Sequence, residues 1–281
     1  MRLKNDNKKC IVCGNLYTRY LLGFYRCAKC KLIYSRQKSG FGNCIQGMKS
    51  IAFKNYKIIA DVLDKKIKIR GLKILDVGCA EGGFTDLMIS KGALTLGIEP
   101  DITAAKDAIF KKIPLKISSF ESLSGSKNKF DVIVFNDVFE HMSDPHLTLL
   151  KSVKMLNRGG LILINLPVSS GFIFKVVTLL AKIGIKSPYK RIWAQGLSSP
   201  HIYFYNENNL TALLNIYKFE LIDKGRLISL SAEGMYDRVR STYGPFISFF
   251  ISIFAIFLNQ ISKLLPSDVL YLLFKKNEKK T

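Results

Sequence analysis

Four of the six cysteines in this 281-residue chain form two close pairs, KCIVCG at 9–14 and RCAKCK at 26–31. Cys10, Cys13, Cys27 and Cys30, with thirteen residues between the pairs, present thiolates in the pattern that suits tetrahedral zinc. Gly14, directly after the second cysteine, gives the backbone freedom a knuckle turn needs. Four sulfurs leave no open coordination position, so this metal is expected to be structural. Cys44 and Cys79 stand alone and read as small packing residues.

A second stretch, ILDVGCAEGGF at 74–84, runs from apolar residues into Asp76 and then into Gly78, Gly82 and Gly83. In an open parallel sheet, ligands sit beyond the carboxyl ends of the strands. Glycines there let the backbone approach a ligand closely, and a following helix start leaves N–H groups free to face it. No Gly-Lys-Ser/Thr follows, so this is not a P-loop, and the spacing differs from the GxGxxG of NAD sites. The chain has three histidines. His141 follows Glu140, and His201 lies in SPHIYF. Either imidazole can take a proton near neutral pH. His146, behind Pro145 at a helix start, reads as a surface residue.

Apolar runs that must position these residues alternate with helical patterns. The strands expected are 72–77, 94–99, 114–118, 130–135 and 161–167, with helices at 83–91, 102–111 and 145–157. Such alternation argues for a parallel sheet covered on both faces. Ahead of it, apolar residues at 51, 52, 56, 59, 62, 63 and 67 follow the helical period. Beyond Pro167 come an apolar segment at 171–185, a loop with Pro188, Trp193 and Pro200, a helix at 206–217, a strand near 219–230 and a last strand at 269–274.

ILDVGCAEGGF resembles the first motif of the class I S-adenosylmethionine-dependent methyltransferases, Asp-x-Gly-x-Gly-x-Gly. Asp76, Gly78 and Gly82 match it, and Ala80 stands at the middle glycine. FDVIVFNDVFEHMSDP (130–145) resembles the family's fourth strand and the segment after it. NRGGLILINLP (157–167) resembles the glycine turn and fifth strand. SPHIYFYNENNLTALLNIYKFELI (199–222) resembles the later segment of the ubiquinone-methyltransferase-like branch. The resemblance covers about residues 50–275. It implies a Rossmann-like α/β fold: a seven-stranded, mostly parallel sheet with helices on both faces, a small N-terminal zinc ribbon at 1–36, a linker and helix at 37–70, and the cofactor-binding domain at 71–281 with apolar helical insertions at about 169–198 and 245–265.

The same resemblance implies S-adenosylmethionine bound by Asp76, Gly78, Cys79, Ala80, Gly82, Glu99, Ser119, Phe120 and Asn136. Glu99 would take the ribose hydroxyls, Ser119 and Phe120 the adenine, and Asn136 would lie beside the methionine part. Glu140, His141 and His201 fall near the acceptor and are the candidates for catalysis, either histidine serving as a base for a hydroxyl nucleophile. Similar zinc ribbons precede the methyltransferase domain in deoxysugar C-methyltransferases and in some ribosomal-RNA methyltransferases.

Lys and Arg outnumber Asp and Glu by 43 to 21, a formal charge of +22. That suits an anionic partner, although scattered lysines also accompany AT-rich coding. The 48% hydrophobic content excludes wholesale disorder. FISFFISIFAIFLNQISKLL (246–265) is apolar all round for its first turns but breaks at Asn259-Gln260, short of a membrane span. It is expected either to lie on an acidic membrane surface together with 171–185, or to pack in the core or against a second subunit as a homodimer contact. No secretory signal precedes Cys10, which places the chain in the cytoplasm or on the inner face of the plasma membrane. The leading function is methyl transfer to a small molecule, either a sugar of cell-surface polysaccharide synthesis or a lipid-soluble intermediate. The alternatives are an RNA methyltransferase that grips phosphates with the ribbon, against which no aromatic-interleaved basic stripe is found, and a non-catalytic zinc-ribbon binding module.

Overall fold

The computed structural model describes residues 8–37, 49–123, 129–196, 199–229, 236, 240, 244–261 and 264–277. Cys44 lies outside the described residues. Three short strands come first: β1 (Tyr17–Arg19), β2 (Tyr25–Cys27) and β3 (Ile33–Tyr34). Helix α1 (Lys49–Ile67) buries Ile51, Asn55, Ile59 and Leu63, four residues apart, so one stripe meets the core. Truncating Leu63 to Ala would cost about 2–5 kcal/mol through lost burial and the cavity left behind.

The α/β body then follows as β4 (Lys73–Val77), α2 (Gly83–Ser90), β5 (Leu94–Glu99), α3 (Lys106–Phe110), β6 (Leu115–Ile117), β7 (Phe130–Asn136), α4 (Pro145–Met155) and β8 (Leu156–Pro167). Next come α5 (Phe172–Lys182), α6 (Ser187–Ile192), β9 (Tyr203–Phe204), α7 (Glu207–Ile216), β10 (Phe219–Arg226), α8 (Pro245–Ile261) and β11 (Val269–Lys276). Seven strands form one sheet in the order β10-β11-β8-β7-β4-β5-β6. The five strands from β8 to β6 are parallel, while β11 runs antiparallel between β8 and β10. From β4 the chain winds outward through β5 to β6, then returns to β7 on the other side. The topological switch therefore lies between β4 and β7, where a ligand crevice is expected at the carboxyl ends.

Both faces of the sheet are covered, which is why its strands are continuous apolar runs. Ile74, Val132, Val134 and Leu163 pack with α1 and α2 residues such as Leu63, Phe84 and Met88. Leu75, Ile133, Phe135 and Ile164 pack on the opposite face with Leu149 of α4 and Leu213 of α7. Helix ends are set by local chemistry. Asp144 caps α4 by accepting the Leu147 N–H at 2.9 Å, and Asn206 and Asn209 bond each other's backbone at 2.9 Å to start α7.

Several boundaries differ from the sequence expectation. The helix expected at 102–111 is helical only over α3, because 102–105 is turn. The helix expected at 145–157 stops at Met155. The NRGG turn lies inside β8, where the pairing with β7 shifts register between Phe130 and Val132. The loop around Pro188 contains α6, with the proline in its first turn, where its missing N–H costs nothing. Tyr203–Phe204 was expected as loop and is a strand. It pairs with β3, so the cysteine segment and the end of the α/β body share one four-stranded sheet, β1-β2-β3-β9. Trp193 stacks on Phe24 at 4.2 Å between ring centroids and reinforces that junction.

Candidate functional site

Asp76 lies buried one residue before the end of β4, and its Oδ2 accepts the Thr85 hydroxyl at 2.7 Å from the first turn of α2. Burial pushes its carboxyl up to about 6 against that hydrogen bond. The loop that follows is held by backbone bonds: the N–H groups of Gly78 and Cys79 both donate to the Ile98 carbonyl, at 2.8 and 3.0 Å. Gly78 has φ +71°, and a Cβ there would lie 2.5 Å from Val138 Cγ2. The loops after β4 and β7 thus touch, and only glycine fits at the contact. Gly82 has φ +79°, and a Cβ there would lie 2.8 Å from Ile113 Cδ1. Ala80 also sits at positive φ, +44°. No side chain caps the N-terminus of α2, so this loop and helix start present bare backbone to the crevice.

Glu99 ends β5 and is buried. Its Oε2 accepts the Ala80 N–H at 3.1 Å and its Oε1 the Asp101 N–H at 3.0 Å. Burial raises its pKa while these two bonds lower it. Each oxygen keeps a lone pair for a further donor. Cys79 is buried with its sulfur over Gly97, where a Cβ would lie 2.6 Å from Sγ, and burial pushes its thiol up. It is a packing residue under the loop, as expected. Phe120 is buried edge-on against Phe135, with centroids 5.5 Å apart. The Ser119 hydroxyl is engaged with Ser122, accepting its N–H at 3.1 Å. Asn136 ends β7 buried; its amide faces the Asp76 carboxyl and lowers that group's pKa, but neither amide atom makes a hydrogen bond of ordinary length among the described residues. A buried, unsatisfied amide at the switch point is what a polar ligand would complete. With the bare loop and the free lone pairs of Glu99, the residues present fit a nucleoside-bearing cofactor.

Beyond Asn136 the chain turns sharply, with Asp137 at φ +51° and its N–H on Asn165 Oδ1 at 2.7 Å. Asp137 is open to solvent yet ringed by protein. The protein packed around it raises its carboxyl, while His141 pulls it down. Glu140 is buried, and desolvation raises its carboxyl to about 8, so it holds its proton at neutral pH. Its Oε1 lies 3.9 Å from Nε2 of both His141 and His201, whose rings meet edge-on with centroids 4.8 Å apart. His141 Nδ1 lies 2.9 Å from the Pro200 carbonyl. A carbonyl only accepts, so Nδ1 carries the hydrogen and Nε2 holds the lone pair. Burial lowers the pKa of His141. Burial and the neighbouring His141 lower that of His201 to about 3. The ligating atoms of Glu140, His141 and His201 lie within 4.8 Å of one another, a spacing that a divalent cation can also bridge.

All three catalytic candidates thus meet in one cluster beside the crevice. Asp137, which the sequence places with Asn136 at the strand end beside the cofactor's methionine part, sits in a left-handed turn next to this cluster. His146, expected on the surface, is half-buried and bonds the Tyr217 hydroxyl at 2.6 Å, away from the cluster.

The four N-terminal thiols also converge. Cys10 and Cys30 Sγ are 3.5 Å apart, Cys13 and Cys27 Sγ 3.4 Å, and all four lie within 4.8 Å of one another. Zinc with Zn–S bonds of about 2.3 Å needs sulfurs about 3.8 Å apart, so the set fits that ion. Gly14 at φ +69° and Lys31 at φ +64° turn the two knuckles in equivalent places. The thiols are tied to the Glu140–His141–His201 cluster by short steps. Asn209 Nδ2 donates to the Cys30 carbonyl at 3.2 Å, Ser35 N–H to the Ile202 carbonyl at 2.8 Å, and Ile202 N–H to the Glu140 carbonyl at 3.0 Å.

A family model described as a methyltransferase domain matches residues 51–224. The ubiquinone biosynthesis O-methyltransferase of Pelagibacter ubique (strain HTCC1062) is 34% identical over 126 residues, 43% of this chain and 50% of that protein. The protein of the same name from Chelativorans sp. (strain BNC1) is 32% identical over 100 residues, 34% of this chain and 40% of that one. The chain thus spans half or less of the length of these curated relatives. Among solved structures, magnesium protoporphyrin IX methyltransferase from Synechocystis PCC 6803 with bound SAH superposes with a TM-score of 0.53 at 15% identity, covering 85% of this chain and 90% of that one. The (4+2)-cyclase SpnF superposes with a TM-score of 0.51 at 16% identity, covering 86% and 87%. At these identities the superpositions establish the fold alone, and the cyclase is a reminder that the fold does not fix the chemistry.

Proposed function

The chain belongs to the class I S-adenosylmethionine-dependent methyltransferase family, and from that premise we propose that it transfers a methyl group to a hydroxyl of a small molecule. One observation carries this reading. Glu140, His141 and His201 converge beside the bare glycine loop, with the Glu140 Oε1 3.9 Å from Nε2 of both histidines, so the crevice pairs a cofactor cradle with proton-handling groups. The names of the curated relatives support a hydroxyl as the acceptor.

A sulfonium methyl is electrophilic on its own, so the protein's task is to hold the acceptor oxygen in line and to take its proton. Glu99, fixed by the Ala80 and Asp101 N–H groups, accepts the ribose hydroxyls. Gly78, Ala80 and Gly82 bring backbone against the cofactor, Asp76 anchors the loop through Thr85, and Asn136 meets the methionine end. Phe120 and the Ser119 turn border the adenine. His141 is the base: the Nδ1–H bond to Pro200 sets the tautomer that leaves the lone pair on Nε2, and burial keeps the ring neutral. His201, with its pKa near 3, is too weak a base to share that role and positions the acceptor instead. Glu140 keeps its proton and lies 3.9 Å from Nε2 of both imidazoles.

Zinc on Cys10, Cys13, Cys27 and Cys30 holds the ribbon, and through β9 it steadies the segment that carries His201. The test is turnover of labelled S-adenosylmethionine with hydroxylated quinol precursors and nucleotide sugars, read as a methylated product by mass spectrometry. A product from either class supports the reading. Cofactor binding without methylation of any hydroxyl overturns it.

A further inference from the structure

Helix α8 is inside out. Among its described side chains, over 245–254, the buried ones are Ser248 and Ser252, one turn apart, with the Ser252 hydroxyl donating to the Ser248 carbonyl at 2.7 Å. Its large apolar side chains face outward: Phe246, Ile247, Phe249, Phe250, Ile253 and Phe254 are each more than half exposed. A helix in water turns its apolar stripe to the protein and its polar stripe out. The reverse order fits an apolar surrounding.

Charge identifies that surrounding. On α5 and the turn after it, exposed Leu179, Ile183 and Ile185 alternate with exposed Lys175, Lys182 and Lys186. No acidic residue occurs between Phe172 and Asn206. The two helices are anchored together at one end, since the chain leaving α8 returns at Pro266, whose carbonyl accepts the Phe172 N–H at 3.2 Å, and Asp268 Oδ1 accepts the Ile173 N–H at 2.7 Å. Aromatic side chains beside lysines with no acids among them match an anionic lipid surface, in which apolar groups enter the acyl boundary and lysines reach the headgroups. The seventeen residues of α8 span about 25 Å, short of the roughly 30 Å of a bilayer core. Among the described residues no helix is long and apolar enough to cross a membrane.

We propose that α8, together with the lysine-edged outer face of α5, docks this protein flat on an anionic bilayer. The proposal does not depend on the acceptor's identity.

The experiment is flotation of the zinc-loaded full chain with vesicles of equimolar phosphatidylethanolamine and phosphatidylglycerol, and with vesicles of phosphatidylcholine alone. The protein is expected to float with the anionic vesicles and largely to remain behind with the neutral ones. Changing Phe249 and Phe250 together to Ser should lower the bound fraction at least about tenfold, from the apolar area no longer buried in lipid. Changing Lys182 and Lys186 together to Glu should remove the preference for anionic lipid. Both variants should keep the wild-type melting temperature, since these side chains are exposed. Wild-type protein that ignores both vesicles, or a serine variant that floats unchanged, overturns the proposal. So does a dimer in light scattering that the serine variant dissociates while vesicles are ignored, because a second copy would then cover the helix.

Discussion

Glu99 holds Ala80: the carboxylate at the end of β5 accepts the Ala80 N–H at 3.1 Å and so fixes the left-handed residue in the middle of the glycine loop. The bond joins the two strand ends that frame one side of the crevice. It also orients the carboxylate before any ligand arrives, which lowers the ordering cost of binding.

Ala80 carries a conformational cost that glycine would not. A left-handed conformation costs a Cβ-bearing residue about 1–2 kcal/mol, partly offset by the greater unfolded-state freedom of glycine. Ala80→Gly should therefore stabilise the protein by about 0.5–1 kcal/mol in urea unfolding, with cofactor affinity kept or improved. A loss of stability would mean that Ala80 packs against something glycine cannot replace.

Gly78 tolerates no such change. A Cβ at 78 meets Val138 Cγ2 at 2.5 Å, so the loops after β4 and β7 must part. Gly78→Ala should weaken S-adenosylmethionine binding by tenfold or more in calorimetry. In the double variant with Val138→Ala much of the loss should return, and failure of that rescue would place the damage in φ strain alone.

Much of this framework is legible in the sequence, for a physical reason. A buried parallel strand must be a continuous apolar run, so a polar residue closing the run marks the carboxyl edge, as at Asp76, Glu99 and Asn136. Tyr203–Phe204 gave no such signal, because a two-residue strand is defined by its partner, Ile33–Tyr34, far away in the chain. The left-handed turn at Ala80 is invisible because alanine does not advertise it. The buried serines of α8 look like breaks in an apolar run until burial shows which side faces the protein.

Glu140 predicts a pH dependence of stability. Its folded pKa, about 8, lies above the unfolded value near 4.5. The unfolded chain therefore releases this proton first as pH rises, and stability falls between about pH 4.5 and 8, then levels off. Glu140→Gln should flatten that decline and be more stable than wild type at pH 8 by an amount on the order of a few kcal/mol, in urea melts across that range. A decline of equal slope in the variant would assign the dependence elsewhere.

His141→Ala should lower kcat by about 10²–10⁴ while the cofactor dissociation constant holds, and the wild-type rate should rise with pH through a midpoint below 6.5. His201→Ala should leave that midpoint in place and raise the acceptor KM. A profile unchanged by His141→Ala would remove this residue as the base.

Removing the metal should separate the two halves of the site. Treatment with a strong chelator and a thiol-reactive mercurial should release zinc, read with a colorimetric indicator, and lower the melting temperature. Among the described residues the ribbon is bonded through β9 to the His201 segment and makes no hydrogen bond to the glycine loop, so methyl transfer should fall while S-adenosylmethionine binding persists. Loss of both together would make the ribbon essential to the whole fold.

The central claim is tested most directly by isothermal titration of S-adenosylmethionine into the wild-type protein and Glu99→Ala. The claim predicts saturable binding by wild type and a loss of about ten- to hundredfold in the variant, the worth of charge-assisted bonds to the ribose. No binding by wild type, or equal affinity in both, would contradict it.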